Sequence, residues 1–289
     1  MNHTKMQIRD YLRKFDNIIK SALNEDMGSG DRTTNAIVSK FEHCDFIIAL
    51  KEDAVVCGMP VVLKVFDFLS AKLEIEYCVE DGEYLSKGSI LLKASGLAKA
   101  ILSGERTALN FLQRMSGIAT LTRKYAEKIS GLKTKILDTR KTTPVLRAFE
   151  KYAVMIGGGV NHRYNLNDGI LIKENHLKIV SKYYENYITY AVKKAKRQNK
   201  KYQVEVEVMN FKELKEAVEA GADRILLDNM SVNQVRKAVQ YVKGRAKLEA
   251  SGGITEKNIR KYAETGVDYI SVGALTHSFK SVDITLRVF

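Results

Sequence analysis

The sequence predicts an α/β protein whose second half is a (βα) barrel. Six short segments rich in aliphatic and β-branched residues are typical of buried strands, and helical patterns separate them: 133–138, 169–173, 203–208, 224–228, 247–251 and 269–273. Repeated strand–helix units indicate parallel strands with helices outside. The later units recur at Glu207, Asp228, Ser251 and Gly273, without a dinucleotide-binding glycine motif. Such short, regular units favour a barrel over a doubly wound sheet.

The first part of the chain has a different pattern. Apolar side chains spaced by three and four over residues 7–23 predict an amphipathic helix, with its apolar face formed by Ile8, Tyr11, Leu12, Phe15, Ile18, Ile19 and Leu23. A glycine-rich loop over 27–34 follows. Strand-like runs between Phe46 and Ala94 alternate with turns, and one helix is expected over 61–69. A long helical stretch over 100–130 then leads into the βα units.

Composition limits the class of protein. The 289 residues are 45% hydrophobic and 28% charged, as is usual for a globular protein. No apolar run reaches the ~18 residues of a membrane span, and the N-terminal sequence lacks the apolar core of a secretion signal, so we expect a cytoplasmic protein without a membrane partner. Cys44, Cys57 and Cys78 are far apart and in no metal-binding spacing, which predicts reduced thiols.

The formal net charge of +13 is a feature of many nucleic-acid-binding proteins. Here the lysines are spread over the whole chain, and the sequence contains no helix-turn-helix, zinc-finger or RNP-type motif. A lysine-rich, solvated surface therefore accounts for most of the excess charge. We expect no nucleic-acid partner.

Among the basic residues between Asp138 and His176, five lie at the edges of apolar runs: Arg140, Lys141, His162, Arg163 and Lys173. Solvated surface charge is more often scattered along exposed helix faces. The active site of a (βα) barrel lies at the carboxyl ends of its strands, where several of these residues fall. Because an arginine fork binds carboxylate or phosphate bidentately, this cluster predicts a pocket for a small molecule with several negative charges.

The later strand ends add acids and glycines. Glu207 and Asp228 suit sugar hydroxyls, or a magnesium ion that accompanies a pyrophosphate. Gly252 and Gly253, ahead of a helix expected to start at Thr255, let backbone N–H groups come close to a phosphate. Phosphates, a sugar and further carboxylates together indicate a phosphoribosyl donor and an acidic acceptor.

Other interpretations stay open at individual positions. His162 could be a core histidine whose hydrogen bonds are satisfied within the protein. Glu205 and Glu207 alternate with valines and could be solvated on an edge strand. The glycine run 157–159 could serve only close packing or a turn.

Eight motifs occur along the chain: EDMGSGDRTT (25–34), SGERTALNFLQRMSGIAT (103–120), TRKTTP (139–144), GGGVNHRYNLNDGILIKENH (157–176), VEVEV (204–208), LLDN (226–229), ASGGI (250–254) and SVGALTHS (271–278). Their sequences and their order resemble the quinolinate phosphoribosyltransferase family over nearly the whole chain. The resemblance implies the transfer of phosphoribosyl from phosphoribosyl pyrophosphate to quinolinate, with decarboxylation, in NAD biosynthesis. It implies a magnesium requirement and no organic cofactor.

The resemblance also implies a fold and an assembly. It predicts an open α/β sandwich over residues 1–115, joined by a C-terminal strand within 279–289, and an incomplete TIM-like (βα) barrel over 116–278. It predicts a homodimer in which Arg106 reaches the partner subunit's site. Whether such dimers associate further into a hexamer is left open by the sequence.

Roles carry over motif by motif. The residues expected to hold quinolinate's two carboxylates are Arg106, Arg140, His162, Arg163 and Lys173. Lys141 is expected between substrate and donor, with Thr139 beside it, and Glu207 and Asp228 at the ribose hydroxyls and magnesium. The 5′-phosphate is expected among Ser251, Gly252, Gly253, Ser271, Val272 and Gly273.

Three alternatives remain. A molybdenum-transport-associated paralogue shares the fold but lacks the full cationic set. Nicotinate phosphoribosyltransferase acts on a mono-acid, which needs fewer cations than this chain offers. The third alternative is a basic nucleic-acid-binding protein without catalytic activity.

Overall fold

The protein, seen in a computed structural model, consists of two compact units. The first comprises Met1–Arg123, Thr142–Gly158 and Leu275–Phe289, and the second comprises Lys124–Lys141 and Gly159–Ala274. The structure describes residues 2–289, with side chains from residue 15 onward. The predicted boundary between residues 115 and 116 lies inside one unbroken helix, Ala98–Lys128.

The first unit contains most of the helices and strands of the N-terminal part: α1 (Asn2–Met27), α2 (Arg32–Ile37), β1 (His43–Leu50), β2 (Ala54–Val55), α3 (Met59–Phe68), β3 (Glu74–Cys78), β4 (Tyr84–Leu85), β5 (Ile90–Leu97) and α4 (Ala98–Lys128). Helix α5 (Arg147–Ile156) and strand β12 (Ile284–Val288) belong to it as well. Four strands form an antiparallel sheet in the order β12-β1-β5-β3, and β2 pairs with β4.

The C-terminal strand returns to this sheet as predicted. Strand β12 pairs antiparallel with β1, with Leu286 opposite Ile48. Alternate residues of β1 (Phe46, Ile48 and Leu50) are buried, which is the burial pattern of a sheet with one face on a core.

The N-terminal helix packs within the same unit. Phe15, Ile19 and Leu23 of α1 are buried, and the Phe15 ring stacks on Phe149 with ring centroids 4.1 Å apart. The apolar face is therefore confirmed for these three positions, while Ile18 is only half-buried. The predicted apolar positions Ile8, Tyr11 and Leu12 lie outside the described side chains.

The second unit alternates strands and helices: β6 (Lys135–Leu137), β7 (Ile170–Ile172), α6 (Glu174–Val180), α7 (Tyr187–Gln198), β8 (Val204–Val208), α8 (Phe211–Glu219), β9 (Arg224–Asp228), α9 (Val232–Val242), β10 (Lys247–Ser251), α10 (Ile259–Ala263), β11 (Tyr269–Ser271) and the start of α11 (Ala274–His277). All six strands are parallel, in the order β6-β11-β10-β9-β8-β7. The ladder stays open between β6 and β7, where a single bridge joins Leu137 to Val160. The predicted incomplete (βα) barrel is confirmed.

One predicted helix start is wrong. The helix expected from Thr255 begins at Ile259, because a turn over 256–258 comes first. The resulting helix has only five residues, so it contributes little dipole to a phosphate site. The free thiols of Cys44, Cys57 and Cys78 agree with the prediction of reduced cysteines. None of the described helices combines the length and apolar character that crossing a bilayer demands.

Candidate active site

The carboxyl ends of the six parallel strands lie at one edge of the second unit's sheet, and most predicted site residues are found there. They are Thr139, Arg140 and Lys141 after β6, Lys173 after β7, Glu207 and Asp228 near the ends of β8 and β9, Ser251 at the end of β10, and Gly273 after β11. Parallel pairing makes this convergence unavoidable. Arg106 lies elsewhere, exposed on α4 in the first unit.

Two guanidinium groups lie close together at this edge. Burial and the positive charge of Arg140 both lower the pKa of Arg163. The Nε atom of Arg140 is buried and has no hydrogen-bond partner among the described residues. Two neighbouring cations that repel each other, one with an unmet donor, form a site that an anion would stabilise.

Asp138 holds the loop that carries Arg163. Its buried carboxylate accepts hydrogen bonds from the His162 backbone N–H at 2.8 Å and from Nδ2 of Asn161 at 2.6 Å. Ahead of them, Val160 donates its N–H to the Ile136 carbonyl at 2.8 Å. The loop is therefore fastened to the end of β6, next to Arg140.

The His162 ring points into the interior of the second unit. Its Nε2 lies 3.0 Å from Oε2 of Glu205 and 3.5 Å from Oε2 of Glu249, while Nδ1 accepts the backbone N–H of Arg163 at 2.8 Å. Burial lowers the pKa of His162 and the two glutamates raise it to about 9, whereas the hydrogen bond that Nδ1 accepts from Arg163 requires an unprotonated nitrogen and favours the neutral ring. Both ring nitrogens thus face protein groups, as in the open interpretation of a core histidine, although neither carboxylate forms a hydrogen bond of regular geometry with Nε2.

Glu207 and Asp228 come from neighbouring strands. Partial burial raises the pKa of Glu207, and the negative charge of Asp228 raises it further, while the Glu174 N–H and Lys173 act in the opposite direction. The Glu174 N–H donates to Oε1 of Glu207 at 3.3 Å. A carboxylate whose ionisation a neighbouring acid opposes makes, together with that acid, a suitable pair for a divalent cation or for sugar hydroxyls.

Gly252 occupies a position that only glycine fits. Its φ is +93°, and a Cβ there would lie 2.2 Å from Oδ1 of Asn229. Gly253 also has a positive φ, +62°, but open space around it. Successive residues with positive φ and half-exposed backbone leave N–H groups available to an anion.

One member of the predicted phosphate group, Val272, is otherwise engaged, and a second, Ser271, has its hydroxyl occupied but was expected to bind through its backbone. The Val272 N–H donates to the Leu137 carbonyl at 3.0 Å, and the Val272 side chain is buried. Neither its N–H nor its side chain is therefore available to a ligand. The Ser271 hydroxyl donates to the buried carboxylate of Glu249. The strand pairing of β11 with β6 explains the first of these, since Val272 extends that ladder.

The glycine run 157–159 serves the scaffold. A Cβ on Gly157 would lie 2.4 Å from the Ala119 carbonyl oxygen, so this glycine permits α5 to end against α4. Gly158 has a φ of +93° and makes the turn. The structural interpretation of this run, left open by the sequence, is the one that the geometry supports.

Comparisons with known proteins decide the family. The model of the quinolinate phosphoribosyl transferase N-terminal domain matches residues 31–116, and that of the C-terminal domain matches residues 118–287. The chain belongs to the quinolinate phosphoribosyltransferase family. A relative from Bacillus subtilis, named a probable nicotinate-nucleotide pyrophosphorylase (carboxylating), is 40% identical over all of this chain and 95% of its own length. A protein of the same name from Methanocaldococcus jannaschii is 41% identical over 97% of this chain and 98% of its own.

A solved structure agrees with this membership in the quinolinate phosphoribosyltransferase family. The nicotinate-nucleotide pyrophosphorylase from Ehrlichia chaffeensis superimposes with a TM-score of 0.89 at 42% identity, covering 95% of this chain and 98% of that one. The likeness extends over both units, so it supports the open sheet of the first and the incomplete barrel of the second.

Sequence reasoning missed several residues of this quinolinate phosphoribosyltransferase site. Asp138 was noted only as a strand end, Asn229 only as part of a motif, and Glu249 and Arg224 not at all. Glu249 did have a signal, because a charged residue at the centre of a buried strand (KLEAS) needs a partner. Its partner Arg224 opens the neighbouring strand, with Nη1 3.3 Å from Oε2 of Glu249.

Proposed function

We propose that this chain transfers a phosphoribosyl group from phosphoribosyl pyrophosphate to quinolinate, with loss of carbon dioxide, to give nicotinate mononucleotide and pyrophosphate. The names of its relatives point to this activity. The observation that carries it in the structure is the pairing of Arg140 and Arg163 beside the acids of β8 and β9. In such a site the arginines bind the acidic acceptor, and the acids bind the sugar of the phosphate-bearing donor.

The arginines and Lys173 bind and orient the acceptor. A bidentate guanidinium fixes both the position and the plane of a carboxylate. Two arginines and a lysine suit a substrate with two carboxylates better than a mono-acid. Lys141, exposed after β6, then extends toward the phosphates of the donor.

Glu207 and Asp228 hold the donor. Their carboxylates accept hydrogen bonds from the ribose hydroxyls. They would also hold a magnesium ion, which when bound neutralises charge on the pyrophosphate. The fit rests on the mutual repulsion of the two acids, which a cation relieves. Backbone groups at Ser251, Gly252, Gly253 and Gly273 surround the 5′-phosphate.

The chemical step depends on position and charge. The ring nitrogen of quinolinate attacks C1 of the ribose, and the C1–O bond breaks with its electron pair leaving on pyrophosphate. Nearby carboxylates stabilise the positive charge that develops at C1. The quaternary ring nitrogen then accepts electrons as the adjacent carboxylate departs as carbon dioxide, and the ring carbon takes a proton from water. The attacking nitrogen carries no proton, so no general base is assigned.

Arg106 completes the site from a second subunit in this proposal. Its exposed position on α4, in the first unit, leaves the guanidinium accessible to another chain. This proposal includes a homodimer with shared sites, and assembly of such dimers into a hexamer stays open. The cytoplasmic location likewise stays a prediction.

A product assay tests the activity. The purified chain with magnesium and phosphoribosyl pyrophosphate should form nicotinate mononucleotide from quinolinate far faster than from nicotinate. A preference for nicotinate would favour the mono-acid transferase instead. Salt-sensitive nucleic-acid binding with no turnover of either acid would refute the proposal.

A further inference from the structure

A group of buried polar side chains lies inside the barrel unit beneath the candidate active site. We call it the buried clamp; it consists of His162, Glu205, Arg224, Glu249 and Ser271. Glu249 is fully buried and joins the group: its Oε1 accepts the Ser271 hydroxyl, and its Oε2 lies 3.3 Å from Nη1 of Arg224 and 3.5 Å from Nε2 of His162. Charged groups buried at this depth are costly unless each has a partner.

The buried clamp meets the loop of Arg163 at His162, and the negative charge of Glu205 also acts directly on Arg163. Glu205 and Glu249 fix the Nε2 edge of the ring, which turns Nδ1 toward the backbone N–H of Arg163 at 2.8 Å. On its other side the same loop is fastened by Asp138, through the His162 N–H. The backbone of Arg163 is thus held by a ring whose orientation two buried carboxylates determine.

The side chain of Arg163 is held loosely by hydrogen bonds. Its Nη1 donates to the Gly169 carbonyl at a long 3.4 Å, and the repulsion from Arg140 opposes the attraction of Glu205 and Asp168. Without a firmly held backbone, two repelling guanidinium groups would move apart before substrate arrives. Holding them in place in advance lowers the entropy that binding must overcome.

We propose that Glu249 and Glu205 are positioning residues that lock the His162 ring and so keep Arg163 ready for the dicarboxylate acceptor. The proposal rests on the proposed function, and neither glutamate contacts substrate in it. The ligand atoms of His162, Glu205 and Glu249 lie within 4.8 Å of one another, a spacing that a metal ion could use. Arg224 already supplies positive charge to Glu249 there, so a role in orientation fits better.

Glu249→Gln is the sharpest test because it keeps the shape and removes one acceptor. The carboxylate accepts from Ser271 on one oxygen and faces Arg224 and His162 with the other. If the glutamine keeps its carbonyl oxygen toward the Ser271 hydroxyl, its NH2 group faces Arg224 and His162. All three groups are then hydrogen-bond donors with no acceptor between them. The ring should then shift, and the KM for quinolinate should rise about tenfold or more, while kcat changes by less than ~threefold and the KM for phosphoribosyl pyrophosphate stays unchanged.

A double-mutant cycle separates this role from general stability. In a His162→Ala background, Glu249→Gln should change the KM for quinolinate by less than ~twofold, because the ring through which it acts is gone. Asp223→Asn is the matched control: this carboxylate accepts the Val204 N–H at the opposite end of β9 and should leave both KM values unchanged.

The outcomes distinguish the two proposals. An inactive parent chain would refute the proposed function and this inference with it. An active parent whose Glu249→Gln variant has an unchanged KM for quinolinate, or effects that simply add in the His162→Ala background, would overturn this inference alone. If Glu249→Gln does not fold, the same cycle with Glu249→Asp, whose shorter side chain withdraws the carboxylate from His162, decides by the same criteria.

Discussion

Gly252→Ala tests the proposed phosphate site at the position with the least room. The left-handed backbone there, with φ of +93°, costs a residue with a Cβ ~1–2 kcal/mol. The Cβ would also lie 2.2 Å from Oδ1 and 2.9 Å from the backbone nitrogen of Asn229, so Asn229 must move. It would lose hydrogen bonds to the Ser251 carbonyl at 2.9 Å and to Asp228 at 2.8 Å, each worth ~1 kcal/mol. We expect a total loss of about 3–4 kcal/mol of folding free energy.

Gly221→Ala is the matched control. Gly221 has a φ of +78° with no atom within 4 Å of its Cβ position, so the substitution should cost only the backbone penalty of ~1–2 kcal/mol. Thermal unfolding followed by circular dichroism should show a fall in Tm for Gly252→Ala about twice that for Gly221→Ala. Steady-state kinetics should show a KM for phosphoribosyl pyrophosphate raised roughly tenfold in the first variant alone. Equal Tm values and an unchanged KM in Gly252→Ala would refute the reasoning.

Three further predictions concern charged residues. Arg140→Ala should lower kcat/KM by about 100-fold, or ~3 kcal/mol, whereas Lys200→Ala on the exposed surface should not; equal activity would sink the arginine assignment. Asp228→Asn should raise the magnesium concentration for half-maximal rate about tenfold, and Asp223→Asn should leave it unchanged. The same half-maximal concentration in both variants would argue against magnesium binding by Glu207 and Asp228. Mixing Arg106→Ala and Arg140→Ala subunits should restore turnover that each variant lacks, and mixed oligomers without activity would place Arg106 outside a shared site.

Periodicity and turn residues were enough to predict most of the fold. Strands β9 and β10 have the predicted bounds, 224–228 and 247–251, because short buried runs between polar turns leave little choice of register. The long helix expected over 100–130 is α4, Ala98–Lys128, and the sequence shows no change of composition near residue 115 that would mark a boundary inside it. The start of α10 was missed because the turn over 256–258 has helix-like residues.

The candidate site was predictable where a residue's position along a strand decides its surroundings. Arg140, Glu207 and Asp228 follow or end parallel strands, and parallel strands must bring their ends together. The partners of His162 could not be read in advance, because they depend on which way a ring turns across strands distant in sequence. The two glutamates that face its ring lie on β8 and β10. Glu205 is 43 residues and Glu249 is 87 residues after His162 in the chain.

The release of labelled carbon dioxide tests the proposed activity most directly. Quinolinate labelled in the carboxylate next to the ring nitrogen, incubated with the purified chain, magnesium and phosphoribosyl pyrophosphate, should give labelled carbon dioxide in equal amount to pyrophosphate and nicotinate mononucleotide. Omitting the donor should abolish release. Pyrophosphate formed without labelled carbon dioxide, or no turnover of quinolinate at all, would contradict the proposed reaction.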